Sequence, residues 1–123
     1  MSQKFTAILE GGVERFAATM STRRATLFYD LAVLLERYVE LPCGIFPDTG
    51  KDEYQINSKQ FIAFFECLWE KGWIGDSQGF IRGWTVHAAG MIENIEMRQR
   101  NWVDRNGISM KVQRYVRTDE IEC

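Results

Sequence analysis

The chain has 123 residues, a formal net charge of −2, a hydrophobic content of 46% and an aromatic content of 13%. This composition excludes intrinsic disorder and predicts one domain over residues 1–123, large enough to hide roughly two thirds of the unfolded chain's surface. No apolar run approaches the roughly 20 residues that cross a bilayer, and the N-terminus has no signal-peptide pattern. Three scattered cysteines fit neither a disulfide framework nor a zinc site. We therefore expect a protein of a reducing, bacterial cytoplasm, with no membrane association.

The first half of the chain predicts two helices and a loop. Val13, Phe16, Ala17 and Met20 follow the Gly11–Gly12 pair at helical spacing, which predicts a short helix from about Val13. Ser21 or Thr22 is predicted to cap a second helix, which ends before Pro42 and Gly44. Its apolar stripe is formed by Leu27, Leu31, Leu34, Leu35 and Tyr38. Residues 42–54 predict a loop with Pro47, Asp48 and Gly50 as turn residues.

A third helix is predicted after Asn57, because Asn57 and Gln60 resemble a capping box and Gly72 can end the helix. Its apolar face needs the stripe of the second helix for burial. The two helices together predict one core, formed by Leu31, Leu35, Phe61, Phe65, Leu68 and Trp69.

The remaining segments predict a hairpin, a helix and a basic tail. Trp73–Ile74 and Phe80–Arg82 flank a Gly-rich turn and predict two short strands, as in the wing of a winged helix. Residues 84–102 place Trp84, Ala88, Ile92 and Ile95 on one helical face. Asn106–Gly107 favours a hairpin over about residues 97–117, and the alternative is a helix that breaks into a strand near Gly107. The predicted fold class is α+β, a small helical core with short β-hairpins, winged-helix-like.

The sequence contains no assembled set of catalytic groups. His87 is the only histidine and has no nucleophile motif or second histidine near it, so we expect a structural role. Glu66 and Glu70 lie one helical turn apart, but Lys59 and Lys71 accompany them, and a salt-bridged face explains this pattern. We expect no enzymatic activity, cofactor, metal or small-molecule substrate.

Positive charge is concentrated in residues 97–117, where six cations accompany one carboxylate, Asp104. This local charge of +5 leaves −7 for the rest of the chain. Such asymmetry can mark a surface that binds an anion, and the other interpretation is a solvated, arginine-rich outer face. Aromatic residues stand among the cations, as at nucleic-acid and protein interfaces. The predicted binding residues are Arg98, Arg100, Trp102, Arg105, Lys111, Arg114, Tyr115 and Arg117, with their side chains on the surface.

Several phrases, taken in order, resemble the N-terminal domain of phage replisome-organiser and related replication-initiation proteins. They are Trp69 to Ile74, Phe80–Ile81, the W-x-x-H phrase Trp84 to His87, and the basic segment Met97 to Tyr115. The resemblance covers about residues 24–115 and implies a winged helix that binds DNA. Residues 54–60 depart from it, because they are too few for both a positioning and a recognition helix.

Two functions are therefore expected from the sequence. The first is a DNA-associated protein of a phage or mobile element, in replication or regulation, whose basic residues contact phosphates while Trp102 or Tyr115 packs on the nucleic acid. The alternative is a small phage-encoded inhibitor or adaptor that binds a bacterial protein complex, such as a defence or transcription machine. In that case the acidic remainder of the chain could mimic nucleic acid.

Overall fold

A computed structural model describes residues 2–48, 50–71, 79–103, 107 and 109–112, with the backbone alone at residues 79–82. Within these residues the elements follow the order β1 (Ser2–Ile8), β2 (Glu14–Ser21), α1 (Thr22–Val39), β3 (Ile45–Asp48), β4 (Glu53–Asn57), α2 (Ser58–Glu70) and α3 (Gly79–Glu96). The strands form one sheet in the order β2-β1-β4-β3. The predicted α+β class is confirmed.

The first two strands form an antiparallel hairpin, so the helix predicted from Val13 is wrong. Phe5 pairs with Ala18 and Thr6 pairs with Phe16, which leaves Ala17 as the extra residue of a β-bulge. Because of the bulge, Ala17 and Ala18 are both fully buried. The bulge interrupts the period of two that identifies a strand, and the apolar residues around it then match helical spacing.

The loop predicted over residues 42–54 is wrong in part, because it contains β3 and the start of β4. These strands pair antiparallel, and β4 also pairs in parallel with β1. Pro47 is accommodated because β3 is an edge strand, where a missing N–H breaks no ladder. The turn prediction is confirmed after Asp48, whose carboxylate accepts a hydrogen bond from the Gly50 N–H at 3.2 Å.

Helices α1 and α2 begin at the predicted caps. Ser21 Oγ accepts a hydrogen bond from the Arg24 backbone N–H at 3.2 Å, and Asn57 Oδ1 accepts one from the Gln60 N–H at 3.0 Å. Each cap satisfies a donor that has no partner within the helix. Helix α2 ends at Glu70, and Gly72 lies outside the described residues.

Helix α3 begins five residues before Trp84, and the wing strand predicted at Phe80–Arg82 is therefore wrong. Phe80 and Trp84 lie one helical turn apart in sequence, so the apolar spacing of α3 continues into the segment taken for a strand. Trp73–Ile74 lies outside the described residues. A winged-helix arrangement is not confirmed.

The predicted core is confirmed, since its six residues are all buried and belong to one hydrophobic cluster. The cluster also includes the inner face of the sheet and two tryptophans that follow α2, Trp84 and Trp102. Trp84 stacks on Phe28 with ring centroids 5.1 Å apart, and its indole N–H donates to the Phe28 carbonyl oxygen at 3.0 Å. These contacts join α3 to α1.

Candidate partner-binding surface on helix α1

Helix α1 carries apolar side chains on two faces. The face that packs on the core contains Ala25, Phe28, Leu31, Ala32, Leu35 and Val39. A second stripe on the same helix is exposed: Leu27 is 62%, Leu34 is 48% and Tyr38 is 49% exposed. Leu31 lies between them in the sequence but belongs to the core and is only 7% exposed. These four residues form what we call the α1 seam: Leu27, Leu31, Leu34 and Tyr38.

The α1 seam has the spacing of a helix–helix contact. Its residues follow one another at steps of four, three and four, as in the a and d positions of a coiled coil. Several large apolar residues exposed along one side of a helix make that side a candidate interaction surface. Within the described residues, Leu27, Leu34 and Tyr38 each keep more than a third of their surface exposed.

A groove between α1 and α3 adjoins the seam and encloses about 180 Å³. Its walls are mostly apolar, and it is lined by Arg24, Leu27, Phe28, Leu31, Gly83, Trp84 and His87. At Gly83 a Cβ atom would meet no other atom within 4 Å, so the missing side chain contributes to the open space. The groove is large enough for an aromatic ring, since a cavity of about 150 Å³ binds benzene.

His87 and Arg24 give one end of the groove its polar character. Burial lowers the pKa of His87 below its usual value, and the nearby Arg24 guanidinium lowers it further. The imidazole is therefore neutral at pH 7. His87 lies on the wall of the groove, and this position does not test the structural role expected for it, which stays a prediction.

Arg100 contributes less positive charge to the predicted basic surface than the sequence indicates. Arg100 forms a bidentate ion pair with Glu96, at 2.8 and 3.0 Å, and its Nη1 lies 3.2 Å from Glu66 Oε2. The side chain of Arg100 is only 17% exposed. Counting charges within residues 97–117 overlooks these carboxylates, because α2 and α3 supply them from outside the segment. The expectation of an exposed Arg100 is wrong.

Trp102 is buried as well, which corrects its predicted place on the surface. It is 5% exposed, its indole N–H donates to Glu93 Oε2 at 3.1 Å, and its ring meets Phe65 edge to face at 5.0 Å. The Arg100 guanidinium lies 4.7 Å from the centroid of the Trp102 ring. Of the aromatic and cationic residues that suggested a binding surface, Arg100 and Trp102 thus pack on each other and on the core.

The other predicted binding residues divide into two groups. Arg98 and Lys111 are exposed, and the Arg98 side chain lies 3.5 Å from Glu96 Oε1 with 61% of its surface open. Arg105, Arg114, Tyr115 and Arg117 lie outside the described residues. Val103 forms an antiparallel bridge with Ser109, and the Met110 N–H donates to the Trp102 carbonyl oxygen at 2.9 Å. Residues 103 and 109 therefore run antiparallel to each other, while the hairpin over about residues 97–117 stays a prediction.

Sequence reasoning missed the α1 seam because it assigned Leu27, Leu31, Leu34, Leu35 and Tyr38 to one stripe. These residues cover more of the helix circumference than one core contact can bury. The 4-3-4 spacing of the seam, offset from the stripe that contains Leu35, is the pattern that could have separated them.

In the part of the chain that the structure describes, no helix is both long and apolar enough to span a membrane. Among the same residues, no group of three or more His, Cys, Asp or Glu side chains is placed to hold a metal ion. Comparison with protein-family models, with curated proteins and with solved structures found no match for this chain.

Proposed function

We propose that this protein is a non-enzymatic binding module that docks a helix of a partner protein on the α1 seam. The observation that carries the proposal is the exposure of Leu27, Leu34 and Tyr38 at coiled-coil spacing on a helix whose other face is buried. When a partner covers such side chains, apolar surface is removed from water, and each Å² that is buried stabilises the complex by about 25 cal/mol.

The groove beside the seam supports the same proposal. A partner helix in the seam would lie along Leu27 and Leu31, which also line the groove, so a side chain of the partner could enter it. Buried aromatic anchors in such pockets supply much of the binding energy of protein interfaces. The seam and the groove therefore form one continuous surface for helix-in-groove recognition.

Site-specific photo-crosslinking in cells tests this proposal. A photoreactive amino acid at position 34 should form covalent adducts with a protein, and the adducts are identified by mass spectrometry. The matched control places the same amino acid at Lys51, which is exposed in the turn between β3 and β4. Equal yields at the two positions, or no protein adduct at position 34, would refute the proposed function.

DNA binding is a second candidate function, carried by the exposure of Arg98 and Lys111. Binding through several cations weakens steeply as the salt concentration rises. An electrophoretic shift with duplex and single-stranded DNA at two salt concentrations therefore tests it. Arg98→Glu should weaken a salt-dependent shift, and the absence of any shift at low salt would exclude this function.

A further inference from the structure

We propose that the helix that docks on the α1 seam is α1 of a second copy of this chain, running antiparallel to the first. This inference rests on the proposed function and names the partner. The charges beside the seam carry it. Asp30 and Arg37 are both exposed and lie seven residues apart, on the same side of the seam. Within the described residues, neither forms an ion pair within 4 Å.

An antiparallel pair matches both the apolar and the charged residues. In the register that places Leu31 opposite Leu34 of the second copy, Leu27 lies opposite Tyr38 of the second copy. The same register brings Asp30 beside Arg37 of the second copy, and twofold symmetry forms this ion pair twice. The charge pattern is therefore complementary to itself when the helix direction is reversed.

A parallel pair does not give this match. Equivalent residues would then lie level with each other, and Asp30 would stay two turns, roughly 10 Å along the axis, from Arg37 of the second copy. The charges thus select the antiparallel direction.

The groove gives an independent reason for the same register. Tyr38 of the second copy would lie level with Leu27, at the mouth of the groove between α1 and α3. The volume of about 180 Å³ accommodates a phenol ring, and Leu27, Phe28 and Trp84 provide apolar walls. Arg24 lines the same groove and can donate a hydrogen bond to the phenol oxygen. Each copy inserts one tyrosine into the other.

Sedimentation analysis across a range of concentrations tests the pairing. The parent chain should dimerise, and Asp30→Arg or Arg37→Asp alone should weaken the dimer at least about tenfold, because each places two like-charged pairs at the interface. The double exchange Asp30→Arg with Arg37→Asp restores opposite charges and should return the affinity to within about threefold of the parent. Lys51→Glu, a charge reversal in an exposed turn, is the matched control and should have no effect.

Gly83→Leu tests the tyrosine pocket separately. A side chain at position 83 meets no atom at its Cβ and extends into the groove, so the fold should persist while the dimer weakens. Circular dichroism confirms that each variant is folded. Weakening by Gly83→Leu together with recovery in the double exchange supports the inference.

Three results would overturn the inference. They are a parent chain that stays monomeric at every concentration, a dimer that these substitutions do not affect, and a double exchange no tighter than the single variants. Crosslinks from position 34 to a different protein would then leave the proposed function standing while removing the second copy as the partner. No protein crosslink from that position would remove both.

Discussion

Glu93→Ala tests how the residues that follow α3 are anchored to the core. Glu93 is 3% exposed. Its Oε2 atom accepts hydrogen bonds from the Trp102 indole N–H at 3.1 Å and from the Arg100 backbone N–H at 3.2 Å. Both donors belong to the segment that returns from α3 toward α2. One buried carboxylate thus binds two donors of this segment.

The expected loss of stability follows from these two bonds. A buried donor without an acceptor costs about 1–3 kcal/mol, and the Arg100 N–H is only partly buried. Removing the carboxylate also removes the cost of burying its charge, which offsets part of the loss. We expect Glu93→Ala to lower the free energy of unfolding by about 2–4 kcal/mol. Glu93→Gln keeps an acceptor oxygen and should lower it by about 1 kcal/mol.

Urea denaturation, followed by circular dichroism and tryptophan fluorescence at a fixed protein concentration, measures both losses. Trp102→Phe removes the indole donor but keeps an aromatic ring. A double-mutant cycle with Glu93→Ala should therefore give a coupling of about 1 kcal/mol. A loss below about 0.5 kcal/mol for Glu93→Ala, or no coupling in the cycle, would refute this role of Glu93.

Four further predictions concern the core, the basic segment and two titratable groups. Phe65→Ala should lower the free energy of unfolding by about 3–5 kcal/mol in urea denaturation, because Phe65 is fully buried, and an unchanged midpoint would contradict the core. Arg100→Glu should cost about 1–3 kcal/mol in the same assay, since it sets a third carboxylate beside Glu66 and Glu96, whereas Arg98→Glu should leave the midpoint unchanged. The pKa of His87 is lowered in the folded chain. Its contribution to stability is therefore complete above the pKa of the unfolded chain, about 6.5, and is lost as the pH falls below that pKa. His87→Gln should flatten this pH dependence of the unfolding midpoint. Burial raises the pKa of the Cys43 thiol to about 11, so alkylation at pH 8, mapped by mass spectrometry, should modify Cys43 more slowly than the half-buried Cys67, and the reverse order would contradict this environment.

The caps and the inward faces of α1 and α2 could be predicted from the sequence because they depend on residues close together in the chain. Ser21 and Asn57 each bond to an N–H three residues ahead. The apolar residues of each helix recur at a spacing that only a helix brings to one face. These local patterns were sufficient to predict that Leu35 and Phe65 belong to one buried cluster.

The strands required partners that are distant in the sequence. β1 pairs with β4 across about fifty residues, and the bulge at Ala17 exists only in relation to β1. A strand is stabilised by hydrogen bonds to another segment, so its own residues specify it weakly. The N-terminal hairpin and the edge strand at Pro47 therefore escaped prediction.

The sequence by itself determined the α+β class, the two capped helices and the part of the core that these two helices form. Only the tertiary structure decided which apolar and charged residues remain at the surface. Arg100 and Trp102 are covered because Glu66, Glu93, Glu96 and Phe65 come from other turns and helices to meet them. Leu27, Leu34 and Tyr38 stay exposed because the sheet, α2 and α3 pack on the other side of α1. Burial depends on which segments meet in space, and the spacing of residues along one helix does not contain that information.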